Sequence, residues 1–363
     1  MICAYAAIGL FMSSLTAYQV VAAVGTLAVL AVLNYIGNVG QEIPFVRDIT
    51  YWLSISGRAD TFFKGLICSE DFLYFILVIT LFVTLSILRL QAERTKRSTS
   101  QNLFRYGGVI VVTLLIGYIS ARPALRCYYD ATEMKENTLT QNSLDIMKKL
   151  DGPLTITTYV NMFDENYFRA LPRYYNEDLN RFEKYIRFKP EIKMKYVYYY
   201  DTTANPMLDR RFPNATLREK MVEVCKIYGL DSNKFMAPEE IRKIIDLSGE
   251  NNTFVRQIVR ENGEKAWLRI YNDMQRFPSE KEISAAFKRM VMDLPKVGFV
   301  EGHGERSYSG GKDRDYSAFA NDKGFRYALE NQGFDVAKVT MDQQVPEDIN
   351  IIVISDMREW FTP

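Results

Sequence analysis

The sequence has one histidine, His303, in 363 residues. That excludes any site needing two or more, so multi-histidine zinc sites and the two-histidine facial triad are out. Cysteine is scarce as well. Cys3, Cys68, Cys127 and Cys225 show no C-x-x-C spacing, which excludes a zinc knuckle and a dithiol redox pair. Neither sign of charge dominates: 45 Lys/Arg against 44 Asp/Glu leave +1. That argues against a polybasic nucleic-acid binder and against an acidic tail. There is no Walker A motif and no nucleophile paired in sequence with the histidine. Charge is missing altogether between Met1 and Gln41.

What is present falls into two unlike parts. The length predicts two or three units, and 48% apolar with 25% charged content looks globular on average. The average conceals a step. Residues 1–121 hold eight Lys/Arg and six Asp/Glu, whereas residues 122–363 hold 37 and 38. The first part is composed for lipid and the second for water.

The uncharged N-terminal stretch is broken by Ser13-Ser14-Leu15-Thr16. It reads as the end of one helix, about 1–12, and one full span, about 17–37. Twelve residues cannot cross a bilayer alone. The first piece is therefore a re-entrant segment or, preferably, the tail of a span that starts earlier. A signal peptide fits poorly without a basic n-region. Phe72–Leu88 is a second apolar run and Tyr106–Ala121 a third, the latter bracketed by Arg105 and Arg122, which can snorkel. Residues 89–105 carry Arg89, Arg94, Lys96, Arg97 and Arg105 against Glu93, so this loop is assigned to the cytoplasm. The more acidic loop of about 38–70 then lies outside, and so does everything after Arg122. In that loop, Tyr51-Trp52-Leu53 and Phe62-Phe63 with Arg58 and Lys64 read as interfacial anchors or short helices on the outer leaflet. A solvated loop with a few buried aromatics is the other reading.

The second part alternates helix and strand. Thr140 caps a predicted helix to about Leu150, and Leu154–Val160 is a strand. Residues 165–187 read as helical, with Pro172 kinking the helix or marking its true start. Ile192–Tyr200 is a strand, and Leu217–Tyr228 and Pro238–Leu247 are helices. Thr253–Val259 and Ala266–Tyr271 flank Asn262-Gly263, a hairpin turn. Ser279 with Glu282 forms a capping box for a helix to about Met292. Val297–Val300 is a strand, 316–332 a helix closed by Gly333, and Phe334–Thr340 and Ile349–Ser355 are strands. The pattern predicts an α/β layer structure with a largely parallel sheet. Ending at Phe361-Thr362-Pro363, after a buried strand, it also predicts that the chain continues.

The most concentrated site-like stretch is Glu301-Gly302-His303-Gly304-Glu305, directly after a strand, where α/β sheets bind ligands. The preferred reading is a glycine-rich turn whose polar side chains organise the loop, with partner or ligand binding as its functional form. Acid/base or metal chemistry at His303 with Glu301 and Glu305 is the sharper alternative. Three nucleotide motifs nearly occur and fail. Gly302-x-Gly304-x-x-Ser307 lacks the third glycine, Gly311-Lys312-Asp313 lacks the P-loop partners, and Tyr308-Ser309-Gly310-Gly311-Lys312 has no accompanying Walker A. Tyr196, Tyr198, Tyr199 and Tyr200 suit sheet packing better than base stacking, because no basic patch accompanies them. Cys68 and Cys127 both fall near the outer surface, where a disulfide is permitted, although unpaired buried thiols are preferred. No cofactor and no catalytic residue is assigned.

Four stretches, two in each part, together resemble known families. Ala7-Ile8-Gly9-Leu10-Phe11-Met12-Ser13-Ser14-Leu15-Thr16, with Gln19 and Ala22-Ala23, resembles the segment joining two transmembrane helices of ABC-2-type permeases. Phe62-Phe63-Lys64-Gly65-Leu66-Ile67, then Asp71 and Tyr74-Phe75, resembles the outer loop before that family's last helix. Asn137-Thr138-Leu139-Thr140 and the helix to Leu150 resemble the start of the gliding-motility auxiliary protein GldG, and Val297-Gly298-Phe299-Val300-Glu301-Gly302-His303-Gly304-Glu305 resembles its strand-plus-GHGE segment. The resemblance covers nearly the whole chain. It implies residues 1–105 as the C-terminal transmembrane part of a permease, 106–121 as a further transmembrane helix, and 122–363 as an extracytoplasmic GldG-like domain. That domain would have a Rossmann-like or amidotransferase-like fold without evident catalytic residues. The first permease helices and the closing transmembrane helix of the pattern are absent. The implied protein is a multi-pass subunit of an ABC transporter in the inner membrane. Its partners would be a separate ATPase subunit, the lipid bilayer and other permease or auxiliary subunits, without nucleic acid. A non-transporting scaffold or sensor of cell-surface machinery is the alternative, and a membrane-anchored enzyme using His303 and Glu305 a third.

Overall fold

The computed structural model describes residues 1–95, 98–122, 125–311 and 314–359. Lys96, Arg97, Lys312, Asp313 and Phe361-Thr362-Pro363, all used in reading the sequence, lie outside the described residues. The chain divides into two compact units, Met1–Thr138 with Pro172–Asn180, and Leu139–Leu171 with Arg181–Pro363. The division falls after Thr138 rather than at residue 121.

The first unit is mostly helical: α1 (Ile2–Leu15), α2 (Gln19–Tyr35), α3 (Pro44–Leu53), α4 (Ile55–Phe63), β1 (Leu66–Cys68), α5 (Ser69–Arg94), α6 (Thr99–Ser120) and β2 (Tyr128–Asp130). Among the described residues three helices are long and apolar enough to cross a membrane: Gln19–Asn38, Ser69–Arg94 and Thr99–Ser120. At 1.5 Å per residue, the 26 residues of α5 and 22 of α6 extend about 39 and 33 Å, against a hydrocarbon core of about 30 Å. The 14 residues of α1 reach about 21 Å. Both α5 and α6 exceed the apolar runs that announce them. Ser98 caps α6, its Oγ accepting the Gln101 N–H at 3.3 Å, and so draws seven further residues into the helix. Ile8, Ile55 and Tyr74 form the buried centre of the bundle.

The region between α2 and α5 contains the expected short helices. Tyr51, Trp52, Leu53 and Phe62 are half-buried and Phe63 is exposed. Strand β1 pairs antiparallel with β2, placing Cys68 opposite Tyr128. The Ser69 N–H bonds to the Cys127 carbonyl at 2.9 Å, so Cys127 faces Ser69. Successive residues of a strand point to opposite faces, which sets Cys68 and Cys127 apart. All four thiols are free; Cys68 and Cys225 are buried, Cys3 and Cys127 exposed.

The second unit is mixed α/β. Its elements are α7 (Gln141–Lys149), β3 (Leu154–Asn161), α8 (Tyr175–Arg181, shared with the first unit), α9 (Glu183–Phe188), β4 (Ile192–Tyr199), α10 (Pro206–Arg211), α11 (Leu217–Tyr228) and α12 (Pro238–Ile244). They continue as β5 (Val255–Arg260), β6 (Lys265–Arg269), α13 (Glu280–Lys288), β7 (Lys296–Val300), α14 (Ser317–Ala320), β8 (Asp335–Val339) and β9 (Ile351–Val353). Thr140 caps α7, and the Ser279–Glu282 capping box starts α13. Leu154, Ile156, Ile258 and Leu268 from the strands pack with Ile146 and Met147 of α7 and Ile283 and Phe287 of α13.

Three expectations are corrected. The sheet is not one largely parallel layer. Strands β4-β3-β5-β6 form a mixed sheet in which only β3/β4 is parallel, and β8-β7-β9 form a separate, wholly parallel one. The hairpin at Asn262-Gly263 folds β6 back on β5, and β5 enters antiparallel to β3. The helix expected over 165–187 is broken into 3-10 turns at Tyr167–Ala170 and Pro172–Tyr174, then α8 and α9. Proline has no N–H to give a helix interior and opens a new turn instead. The helix expected over 316–332 survives as α14 and a 3-10 turn at Leu329–Gln332, with Gly333 closing the latter. Between them the Asp322 carboxylate accepts the Gly324 N–H at 2.8 Å, a local turn that competes with the helical ladder. The tyrosine strand packs as sheet: Tyr199 and Tyr200 are buried, and Tyr196 and Tyr198 lie against Val160, Ala170 and Phe254.

Candidate functional site

Strand β7 is the centre of the parallel sheet, so the carboxyl ends of β7, β8 and β9 meet at one edge. Loops leaving that edge converge. Glu301–Glu305 follow β7, Asp342 follows β8, and Ser355, Asp356 and Arg358 follow β9. The turn after β7 is possible because of glycine. Gly304 has φ of +84°, and a Cβ there would lie 2.9 Å from Arg358 Cβ. The His303 carbonyl accepts the N–H groups of both Arg358 and Glu359 at 3.0 Å.

The side chains fill this loop from within. The Glu305 carboxylate is fully buried, and its Oε2 accepts the His303 N–H at 2.6 Å. Its Oε1 lies 3.7 Å from His303 Nδ1, while Asp342 Oδ1 lies 3.6 Å from Nε2. The imidazole thus stands between two carboxylates at opposite ends of the ring. Glu301 accepts the Tyr308 N–H at 3.0 Å and lies 3.5 Å from Lys338 Nζ. Arg306 bonds Asp356 at 3.1 Å, and this hydrogen bond and charge hold the Asp356 carboxyl below the usual carboxylate range. Tyr308 stacks on Phe299 with centroids 5.7 Å apart.

This geometry bears on chemistry. Zinc takes a histidine nitrogen at about 2.0–2.1 Å, and carboxylates at opposite ends of one ring cannot both reach the same ion. Among the described residues no group of three or more His, Cys, Asp or Glu is placed to hold a metal. The nearby hydroxyl of Ser355 engages the Tyr316 hydroxyl at 2.6 Å. The outward side is a charged platform on which Asp342 and Arg358 are exposed. All five residues singled out from the sequence, Glu301 to Glu305, therefore come together. Asp342, Ser355, Asp356 and Arg358 join them. Applying the strand-end rule to the two later strands as well would have found these four.

A second cluster lies in the first unit. Arg58 of α4 reaches Glu70 Oε1 at 2.7 Å and Asp71 Oδ1 at 2.8 Å in the first turn of α5. Arg126 holds the other Glu70 oxygen at 2.8 Å, and the Thr61 hydroxyl donates to Asp71 Oδ2 at 2.8 Å. Arg58, Glu70 and Asp71 are all buried. In the sequence the signal is two adjacent carboxylates, Glu70 and Asp71, at the start of a span.

No protein-family model, curated protein or solved structure matches this chain.

Proposed function

We propose that this chain is a membrane subunit of an ABC transporter. Its spans form part of the translocation path, and the α/β unit, on the extracytoplasmic side of the inner membrane, binds substrate or a partner through the edge of the parallel sheet. A separate cytoplasmic subunit hydrolyses ATP. The observation that carries the reading is the pairing of a unit with three helices of spanning length and a charged α/β unit whose strand ends converge on one loop cluster. The excess of Arg and Lys between α5 and α6 supports the orientation. The permease-like and GldG-like motifs support the transporter class and a Rossmann-like or amidotransferase-like fold for the outer unit.

Purification of the full chain from native membranes in mild detergent tests the proposal. An ATPase subunit is expected to co-purify, with hydrolysis that responds to substitutions in the chain. Isolation without an ATPase, and without coupling to ATP hydrolysis, would overturn it.

One observation favours the second reading, a scaffold or sensor. The Glu301–Glu305 loop is packed by its own side chains and turns exposed Asp342 and Arg358 outward, which suits a protein surface better than a small solute. That reading expects a protein captured by the outer unit and no ATP-dependent flux.

A further inference from the structure

Helix α3 has an apolar stripe that the transport reading does not use. Phe45, Ile49 and Trp52 are spaced i, i+4 and i+7 and so share one face. Trp52 lies directly on the backbone of α6: a Cβ on Gly117 would fall 2.2 Å from its Cζ2. Gly117 is three residues from the end of α6, about 4.5 Å along the axis, where a spanning helix leaves the hydrocarbon. Around that point α6 exposes Ile116, Tyr118 and Ile119. The rest of the α3 stripe is uncovered too, with Phe45 74% and Ile49 44% exposed. Asp48, next around the helix, is exposed and marks the polar border. The opposite face is tied down, the Thr50 hydroxyl bonding the Val39 carbonyl at 3.0 Å.

We propose that Phe45 and Ile49 of α3 insert into the boundary between headgroups and acyl chains in the leaflet where α6 ends. Through Trp52 the stripe continues the lipid-facing surface of α6, so lipid is its occupant. An amphipathic helix with an apolar stripe and a charged border is the form that lies in a membrane interface. The sequence places anchors at Tyr51-Trp52-Leu53 and Phe62-Phe63; Phe63 is exposed, whereas Tyr51, Trp52 and Leu53 are half-buried and the exposed apolar residues of α3 lie one to two turns earlier, at Phe45 and Ile49. The proposal rests on α6 crossing the membrane and not on ATP-driven transport.

The test uses the full chain in phosphatidylcholine vesicles, plain or brominated high on the acyl chains. Phe45→Trp and Asp48→Trp are each read by difference against the unsubstituted chain, since its own three tryptophans are common to all. The fluorescence added by Phe45→Trp is expected at short wavelength and loses most of its intensity in brominated vesicles. That added by Asp48→Trp emits as in water and is not quenched. Water-like emission from Phe45→Trp overturns the proposal. So does short-wavelength emission that bromine leaves untouched, which would reveal a protein cover. If Phe45→Trp does not fold, Ile49→Trp gives the same reading one turn later, with the same two overturning results.

Discussion

Removing Arg58 tests what holds the first unit together. Arg58→Leu keeps an apolar stem of similar reach but leaves Glu70 and Asp71 buried without their shared cation. Breaking a buried pair by deleting one partner costs about 3–5 kcal/mol. The lower half of that range is expected here, because Glu70 keeps Arg126 and Asp71 keeps the Thr61 hydroxyl. The triple variant Arg58→Leu, Glu70→Gln, Asp71→Asn removes the orphaned charges as well. It should recover at least half of the loss, since Arg126 is a third exposed and can be hydrated. Equilibrium unfolding of the full chain in mixed micelles with increasing sodium dodecyl sulfate measures both. Trp52 is a local reporter, its ring 5.8 Å from that of Tyr74. A single variant within about 1 kcal/mol of the parent, the range of an exposed pair, would refute the reasoning. A triple variant less stable than the single one would refute it equally.

In the second unit, burial by itself would raise the Glu250 carboxyl, but hydrogen bonds from Arg269 at 2.6 and 2.8 Å, with the charges of Arg269 and Lys323, hold it below the usual range. A depressed folded pKa gives stability that is complete above the ordinary carboxylate range and is lost as pH falls through the folded value. Thermal unfolding should therefore move to lower temperature on acidification, and Glu250→Gln should be less stable at neutral pH and flatten that acid dependence. Gly304→Ala forces a left-handed residue against Arg358 and should cost about 1–3 kcal/mol, seen as faster amide exchange of 301–305 and 356–359. Ser279→Ala removes a capping-box hydroxyl that bonds Glu282 at 2.7 Å and should cost about 1 kcal/mol in thermal unfolding. An unchanged melting profile would contradict the cap.

Most elements were legible in the sequence where local chemistry is sufficient. The helices at Leu217–Tyr228 and after Thr140 and Ser279 follow from caps and periodicity, and the strands at 154, 192 and 297 from apolar runs. Pro172 marks a disturbance in the sequence, but how far it breaks the helix depends on what the flanking turns pack against. The 316–332 segment keeps helical spacing and fails at Asp322-Lys323-Gly324, where a side-chain hydrogen bond outweighs periodicity. The loop around His303 was legible as a place. Its partners were not, because Asp342, Ser355, Asp356 and Arg358 come from strands that meet β7 only through pairing.

The division between a charge-poor third with the long apolar helices and a charge-rich remainder is written in the sequence itself, because charge and apolar runs act locally through solvation. The sequence also marked the helix starts at Thr140 and Ser279, since a cap and the residue it bonds lie three positions apart. Tertiary structure alone decided the direction of strand pairing, the burial of Arg58 with Glu70 and Asp71, and the contact of Trp52 with Gly117. The Asn262-Gly263 hairpin apart, each joins residues more than ten positions apart, and no local propensity specifies which of many such pairs will close.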